Sequence, residues 1–352
     1  MTVIAAATAP QVVRLRVSWL AGGVVAVLVA LVLGVAIGAV SIPVESVIRE
    51  LLSHIPFLGV RSSLSAQDAA IVTELRLPRV VLALLVGAML SMAGASFQGV
   101  FRNPLADPYL LGAAAGAGLT VTLVIVLRST VPGGDQLVPI AAFVGALSAV
   151  ALSYIVGRSA GGRSVVTLVL AGVAITSFLT AIQAYLLQQN SDTLREVYTW
   201  ILGRLTAARW SDVALVLPYF VIATVLLLAH RRVLDVFAVG EEEASTLGIP
   251  VARARLVIVV AASLATAAAV AVSGLIGFVG IIVPHAVRMT AGASYRVILP
   301  LSIMFGGAFL VLADLAGRTI ISPAELPIGV ITAFLGAPFF VVVLRTSLRG
   351  AR

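Results

Sequence analysis

The chain has 352 residues, 61% hydrophobic and 11% charged, with no cysteine and a net charge of +8 carried by arginine alone. That composition excludes a soluble domain, which would carry about 25% charged residues, and indicates membrane spans. The absent cysteine excludes disulfides, thiolate metal sites and cysteine nucleophiles, and arginines that punctuate apolar runs suit the orienting of spans rather than nucleic-acid binding.

In chain order, the first apolar run, Trp19 to Val40, is longer than a signal-peptide core and lacks a clear cleavage site. It reads as the first span, with Arg14 and Arg16 holding its start inside. A helix needs about 20 residues to cross the hydrocarbon core. On that measure spans are predicted at 17–40, 77–101, 109–127, 137–157, 165–188, 211–230, 254–274, 276–291, 297–317 and 326–345. This is an all-α polytopic fold of ten spans in one domain, residues 1–352, with both termini on one side. Gly274, Gly277 and Gly280 interrupt the 254–291 pair, which predicts a broken or re-entrant helix where backbone lines a cavity. Two outer segments, Ser41 to Leu75 and Gln189 to Trp210, are long enough for structure of their own. The second predicts a short helix near the outer surface, with Trp200 and Trp210 suited to the interface. Fourteen arginines fall on the side of the termini and nine on the other, which places both termini in the cytoplasm.

Gly94 and Gly274, Pro104 and Pro284, and Gly112 and Gly292 are each 180 residues apart. With five spans per half, such a repeat would be inverted, a transporter habit; coincidence in a glycine-rich chain is the alternative.

RLPRVVLALLVGAMLSMAGASFQGVFRNPLADP, Arg76 to Pro108, joins outer arginines to a run of small residues that lets helices pack closely. Arg76 and Arg79 stand on the outer side against the positive-inside trend, where arginines suit carboxylates of a partner protein. Asn103-Pro104 and Asp107-Pro108 stop the second span, as a plain turn or as a constriction at the cytoplasmic end of a pathway. Asp314 and Glu325 are acids within or at the edge of spans, and such residues are costly in lipid. Arg318 lies four residues after Asp314, so a structural pair is the favoured reading, with proton coupling by Asp314 or Glu325 as its rival. His285 has no second histidine nearby and reads as a packing residue rather than a ligand of haem or metal.

The cytoplasmic loop 231–253 holds VGEEEASTLGIP. Glu241 to Glu243 suit the first turn of a helix, Gly248 its C-terminal cap, and Pro250 blocks continuation. A short helix held between two spans can transmit force from a partner. No G-x-x-x-x-G-K-[ST] phosphate loop, H-E-x-x-H or Ser-His-Asp set is present, so energy for active transport must come from a partner or an ion gradient.

These segments, with SGLIGFVGIIVPHAVR and LADLAGRTIISPAELPIGVITAFLGAPFF, resemble the FecCD family of ABC-importer permeases from about residue 20 to 345. The family moves iron–siderophores, haem or cobalamin. The resemblance implies a homodimer of ten-helix subunits, two cytoplasmic ATPase subunits and an extracytoplasmic binding protein. No cofactor is expected on this chain, with ATP and magnesium on the partner ATPase. It also implies ATPase docking by Gly240, Glu241, Ala244, Leu247 and Gly248, and binding-protein docking by Arg76, Arg79 and Arg318. An inner gate is implied at Asn103 and Leu105 with Val165 and Val166. A cobalamin-transporting relative has small hydroxyl residues at the last pair, so this chain departs there. The function it implies is ATP-driven import of a ferric siderophore by alternating access, with haem and cobalamin as alternatives. A proton-coupled secondary transporter is the reading from a different class.

Overall fold

The protein is described here by a computed structural model covering residues 15–350 apart from 39, 41, 56, 58, 129–133 and 160–164. Every regular element among the described residues is a helix. In chain order these are α1 (Val17–Ala36), α2 (Val44–Ser53) and α3 (Ala66–Ala70), whose last turn continues as a π-helical turn, Ile71–Arg76, into α4 (Leu77–Phe101). Next come α5 (Ala113–Leu127), α6 (Gly134–Ser159), α7 (Val165–Gln189), α8 (Leu194–Ile201), α9 (Trp210–Ala229), α10 (Arg231–Val239) and α11 (Glu241–Thr246). The last four are α12 (Val251–Ser273), α13 (Val279–Ala291), α14 (Tyr295–Thr319) and α15 (Ile328–Gly350). Ten of these helices, α1, α4 to α7, α9 and α12 to α15, stand at the ten predicted spans. Seven are long and apolar enough to cross a membrane outright, and three apolar stretches are shorter, α5, α13 and Ile328–Val343 of α15. Arg14, Arg163 and Arg352, used to orient the chain, lie outside the described residues.

The bundle is built round α4, in which every residue from Val86 to Phe101 is buried. Lipid tails are as apolar as leucine, so helices in a bilayer associate by close packing rather than by escape from water. Glycine permits that approach here. A Cβ on Gly87 would stand 2.2 Å from the carbonyl oxygen of Gly306 in α14, and one on Gly94 2.1 Å from that of Gly280 in α13. The peripheral helices are apolar on their outward faces, as at Val25 and Leu28 of α1, Leu170 and Phe178 of α7, and Val221 and Val225 of α9. A helix hydrophobic all round belongs in lipid.

Two of the short helices start from irregular backbone. The segment 102–112 leads into α5, and 274–278 separates α12 from α13, where Gly274 (φ 69°) and Phe278 (φ 68°) turn the chain. The interruption predicted from the glycines is thus located at this five-residue break. The two irregular segments meet inside the bundle. The Tyr109 hydroxyl donates to the Ile276 carbonyl at 3.0 Å and accepts from the Ile276 N–H at 3.1 Å. Irregular backbone survives at membrane depth when protein groups satisfy it, as this side chain does.

The 180-residue spacing does not mark equivalent positions. Gly94 lies within α4 while Gly274 caps α12, and Pro104 lies in a turn while Pro284 lies inside α13.

Contacts sort the connecting segments to opposite ends. At one end α8 lies beside the C-terminus of α5, with Arg128 and Glu196 paired at 2.7 Å. There too the Trp210 indole donates at 3.0 Å to the Thr73 carbonyl, an acceptor in the π-helical turn. At the other end lie α10 and α11. The loop 231–253 was expected to hold one helix and holds two. Leu234 and Phe237, three apart in α10, are buried, so a single amphipathic stripe too short to register as a span fastens it to the bundle.

Candidate functional site

At the cytoplasmic end, α11 is a closed unit. Its N-terminal neighbour Gly240 is extended, and the Ala244 N–H donates to the Gly240 carbonyl at 3.2 Å. The Gly248 N–H reaches the Ser245 carbonyl at 3.0 Å and the Ile249 N–H the Ala244 carbonyl at 3.1 Å, with Gly248 at φ 76°. This Schellman-type closure satisfies the last carbonyls and needs a left-handed residue, which glycine supplies without strain. Buried Ala244 seats the helix on its neighbours, whereas Leu247 is 69% exposed and Glu242 and Glu243 are exposed. Val239, just before the helix, is 68% exposed. An apolar residue at either end of a rigid acidic turn, beyond the spans, forms a surface suited to another protein.

At the opposite end the arginines face inward. Arg76 is 7% exposed and donates at 2.9 Å to the carbonyls of Val35 and of Ala36, and also to that of Val40. Arg318 donates to the Gly34 carbonyl at 2.7 Å. Both arginines therefore satisfy the orphan carbonyls that end α1, where a cation also meets the negative end of the helix dipole. Arg79 grips two carboxylates. Its Nε and one terminal nitrogen reach Asp314 at 2.9 and 2.8 Å, and its two terminal nitrogens reach Glu325 at 3.0 and 2.9 Å. Arg318 lies 3.5 Å from Asp314. The pairing of Asp314 with Arg318 is present, and Arg79 is the stronger partner. With both acids held by guanidinium groups, their place in the fold is accounted for by charge pairing.

The turn after α4 is ordered by its own side chains. Asn103 Oδ1 accepts the Leu105 N–H at 2.9 Å and Asp107 Oδ1 the Tyr109 N–H at 2.8 Å, each closing an Asx turn.

Comparison with known proteins settles the family. Residues 26–346 match the model of the FecCD transport family. The chain belongs to the FecCD transport family. One relative of this FecCD chain is an uncharacterised ABC transporter permease of Bacillus subtilis (strain 168), YvrB, 45% identical over 92% of each chain. Another is the cobalamin import permease BtuC of Halobacterium salinarum, 45% identical over 78% of this chain and 73% of that one. The hemin transport permease HmuU of Yersinia pestis is 39% identical over 77% and 82%. A solved transporter, assigned to the metal-chelate ABC type and inward-facing, superposes with a TM-score of 0.81 at 27% identity, covering 94% of this chain and all of that one. The FecCD chain is accordingly a multi-pass membrane protein of the transport-permease kind.

Set on this frame, the expected site residues divide. Gly240, Ala244, Leu247 and Gly248 form one continuous feature with the backbone of Glu241. Arg76, Arg79 and Arg318 also gather, but as an internal cluster with side chains committed to α1 carbonyls and to Asp314 and Glu325. The expected contact with a binding protein would therefore draw on groups that already have partners within the chain. Guanidinium groups bonded within the bundle must exchange partners before meeting another protein. The gate residues are not seen to meet. Asn103 and Leu105 share a turn and Val166 is 65% exposed, but the close approach of α7 to this region is at Gly172, whose Cβ would stand 2.4 Å from the Leu110 carbonyl. Of Val165 only the backbone, at the start of α7, is described. His285 packs edge-on against Phe339 with ring centroids 5.8 Å apart, the packing role expected of it. Sequence reasoning missed the pairing of Arg79 with Glu325 across 246 positions. Its signal was present in outer arginines and outer acids that shared the same apolar boundary.

Proposed function

We propose that this chain is the permease subunit of an ATP-driven importer that moves a ferric siderophore inward by alternating access. The observation that carries the reading is the closed helix α11 beyond the spans, with buried Ala244 behind it and exposed Leu247 in front. In a FecCD-family chain without a phosphate loop, such a surface is where a partner ATPase would push. ATP and magnesium would belong to that ATPase, with no cofactor on this chain. Two copies of the chain would enclose the pathway, with two ATPases below and a binding protein above. Gly240, Glu241, Ala244, Leu247 and Gly248 would form the docking element, and the 103–105 turn with the start of α7 the inner gate. The outer arginines would take part in binding-protein contact only after releasing their present partners. Cobalamin is the second reading for the substrate, favoured by the 45% identity to a cobalamin import permease.

The test is transport in proteoliposomes holding this chain and its ATPase, with the binding protein outside, offering ferric siderophore, haem and cobalamin in turn. ATP-dependent uptake of the ferric siderophore is expected. Uptake driven by a proton gradient without the ATPase would overturn the reading, and ATP-dependent uptake of cobalamin alone would move the substrate to the second one.

A further inference from the structure

A chain of polar contacts leads from the α10–α11 unit into the middle of the bundle, and its first link is Asp235. This residue lies in α10, one position from the buried Leu234, with its side chain 22% exposed. Its carboxylate reaches out of its own helix to the start of α14. Oδ1 accepts the Tyr295 N–H at 2.5 Å, and Oδ2 accepts the Ser294 hydroxyl at 2.9 Å. Arg296 lies 3.3 Å from the same Oδ2. Ser294 is the N-cap residue of α14 and accepts the Arg296 N–H at 3.3 Å. A helix start carries unpaired N–H groups and the positive end of the dipole, so a carboxylate there is both hydrogen-bonded and charge-matched. In effect α10 supplies part of the cap of α14 from another element.

From that cap the contacts continue. Arg288 near the end of α13 donates to the Tyr295 hydroxyl at 3.5 Å and to Gln98 Oε1 at 3.0 Å. Gln98, 2% exposed on α4, donates to the Gly280 carbonyl at 3.0 Å. Gly280, in the first turn of α13, packs against Gly94 and Pro108, and Tyr109 of the turn before α5 bonds Ile276 in the break. A packed seat runs alongside, since a Cβ on Gly99 would stand 2.7 Å from Leu234 and 2.9 Å from the Tyr295 ring. The contacts thus run from the helix beside α11 to both irregular segments.

We infer that Asp235 is a coupling pin, a positioning residue that makes the inner ends of α13 and α14 follow α10 and α11 when a partner moves them. This rests on the proposed ATPase docking at α11. A spatial chain of contacts alone does not establish coupling, which requires that a perturbation at one end be seen at the other. Apolar packing at Leu234 holds α10 in place but resists sliding weakly. The Asp235 cap is directional, and it ties α10 to α14 along that coordinate.

The test uses the absence of cysteine in the chain. Spin labels at Met289→Cys and Val166→Cys, both exposed positions on α13 and α7, report the inner opening in the complex with the partner ATPase in nanodiscs. In the otherwise unaltered chain, trapping the ATPase with ATP and vanadate should shift the distance between them. In Asp235→Ala the ATPase should still co-purify while the shift is lost. Asp235→Asn keeps one acceptor for the Tyr295 N–H and should recover part of it, a rescue that loss of fold would not give. Gln98→Leu, at the far end of the chain, should also lose the shift. A full nucleotide-driven shift in Asp235→Ala overturns the inference. If the unaltered chain neither co-purifies with an ATPase nor shifts, the docking reading itself fails and takes this inference with it.

Discussion

Arg79 carries one positive charge between two carboxylates, and the difference in their surroundings decides what each contributes. The Asp314 side chain is 4% exposed and is shared with Arg318, whereas that of Glu325 is 36% exposed. Removing one partner of a buried ion pair leaves an uncompensated charge and costs about 3–5 kcal/mol, while exposed pairs contribute about 0–1 kcal/mol. Asp314→Asn should therefore lower the unfolding free energy by about 3 kcal/mol or more, and Glu325→Gln by about 1 kcal/mol or less. Thermal unfolding of the two variants in the same lipid or detergent checks the order. Equal losses would mean that Asp314 is more hydrated than its burial indicates.

A helix of six residues is too short to stand alone, so α11 depends on its closure and its seat. Gly248 has open space around the position of a Cβ, and its constraint is the backbone angle φ of 76°. Gly248→Ala should cost about 1–2 kcal/mol locally, the penalty for an L-residue in the left-handed region, without a clash. The expected result is a bundle that folds normally but retains less ATPase on purification, with Leu247→Asp giving the same loss through the exposed face. Retention equal to the unaltered chain in both variants would sink the docking role of α11. Much of this element was legible in sequence, because acids in a first turn, a following glycine and a proline all act locally. The spans were legible for the same reason, since apolar length needs no partner. What stayed hidden depended on distant residues. Arg76 and Arg318 end α1, Arg79 joins Glu325, and Asp235 caps α14, and each partner lies tens to hundreds of positions away. The outer arginines looked free because a sequence shows their charge and not the carbonyls that meet it.

The whole molecule joins a rigid centre to a gap in its regular structure. From Val86 to Phe101 α4 is buried on all sides, and glycines bring α13 and α14 against it at backbone distance. The break at 274–278 interrupts that packing. Tyr109 satisfies the backbone of Ile276, yet a Cβ at Gly277, one residue further, would meet nothing within 4 Å. Irregular backbone at membrane depth belongs either in packed protein or beside a water-filled cavity. Ile276 is in the first situation, and Gly277 is the position at which the second can be tested. If alternating access passes this break, water reaches it in one of the states. In a chain with no other cysteine, Gly277→Cys should react with a membrane-impermeant thiol reagent, and the rate should change when the partner ATPase is trapped with nucleotide. Gly94→Cys, pressed against the Gly280 carbonyl, should stay unreactive if it folds. An unreactive Gly277→Cys in every nucleotide state would place the break in packed protein or lipid and remove it from the pathway.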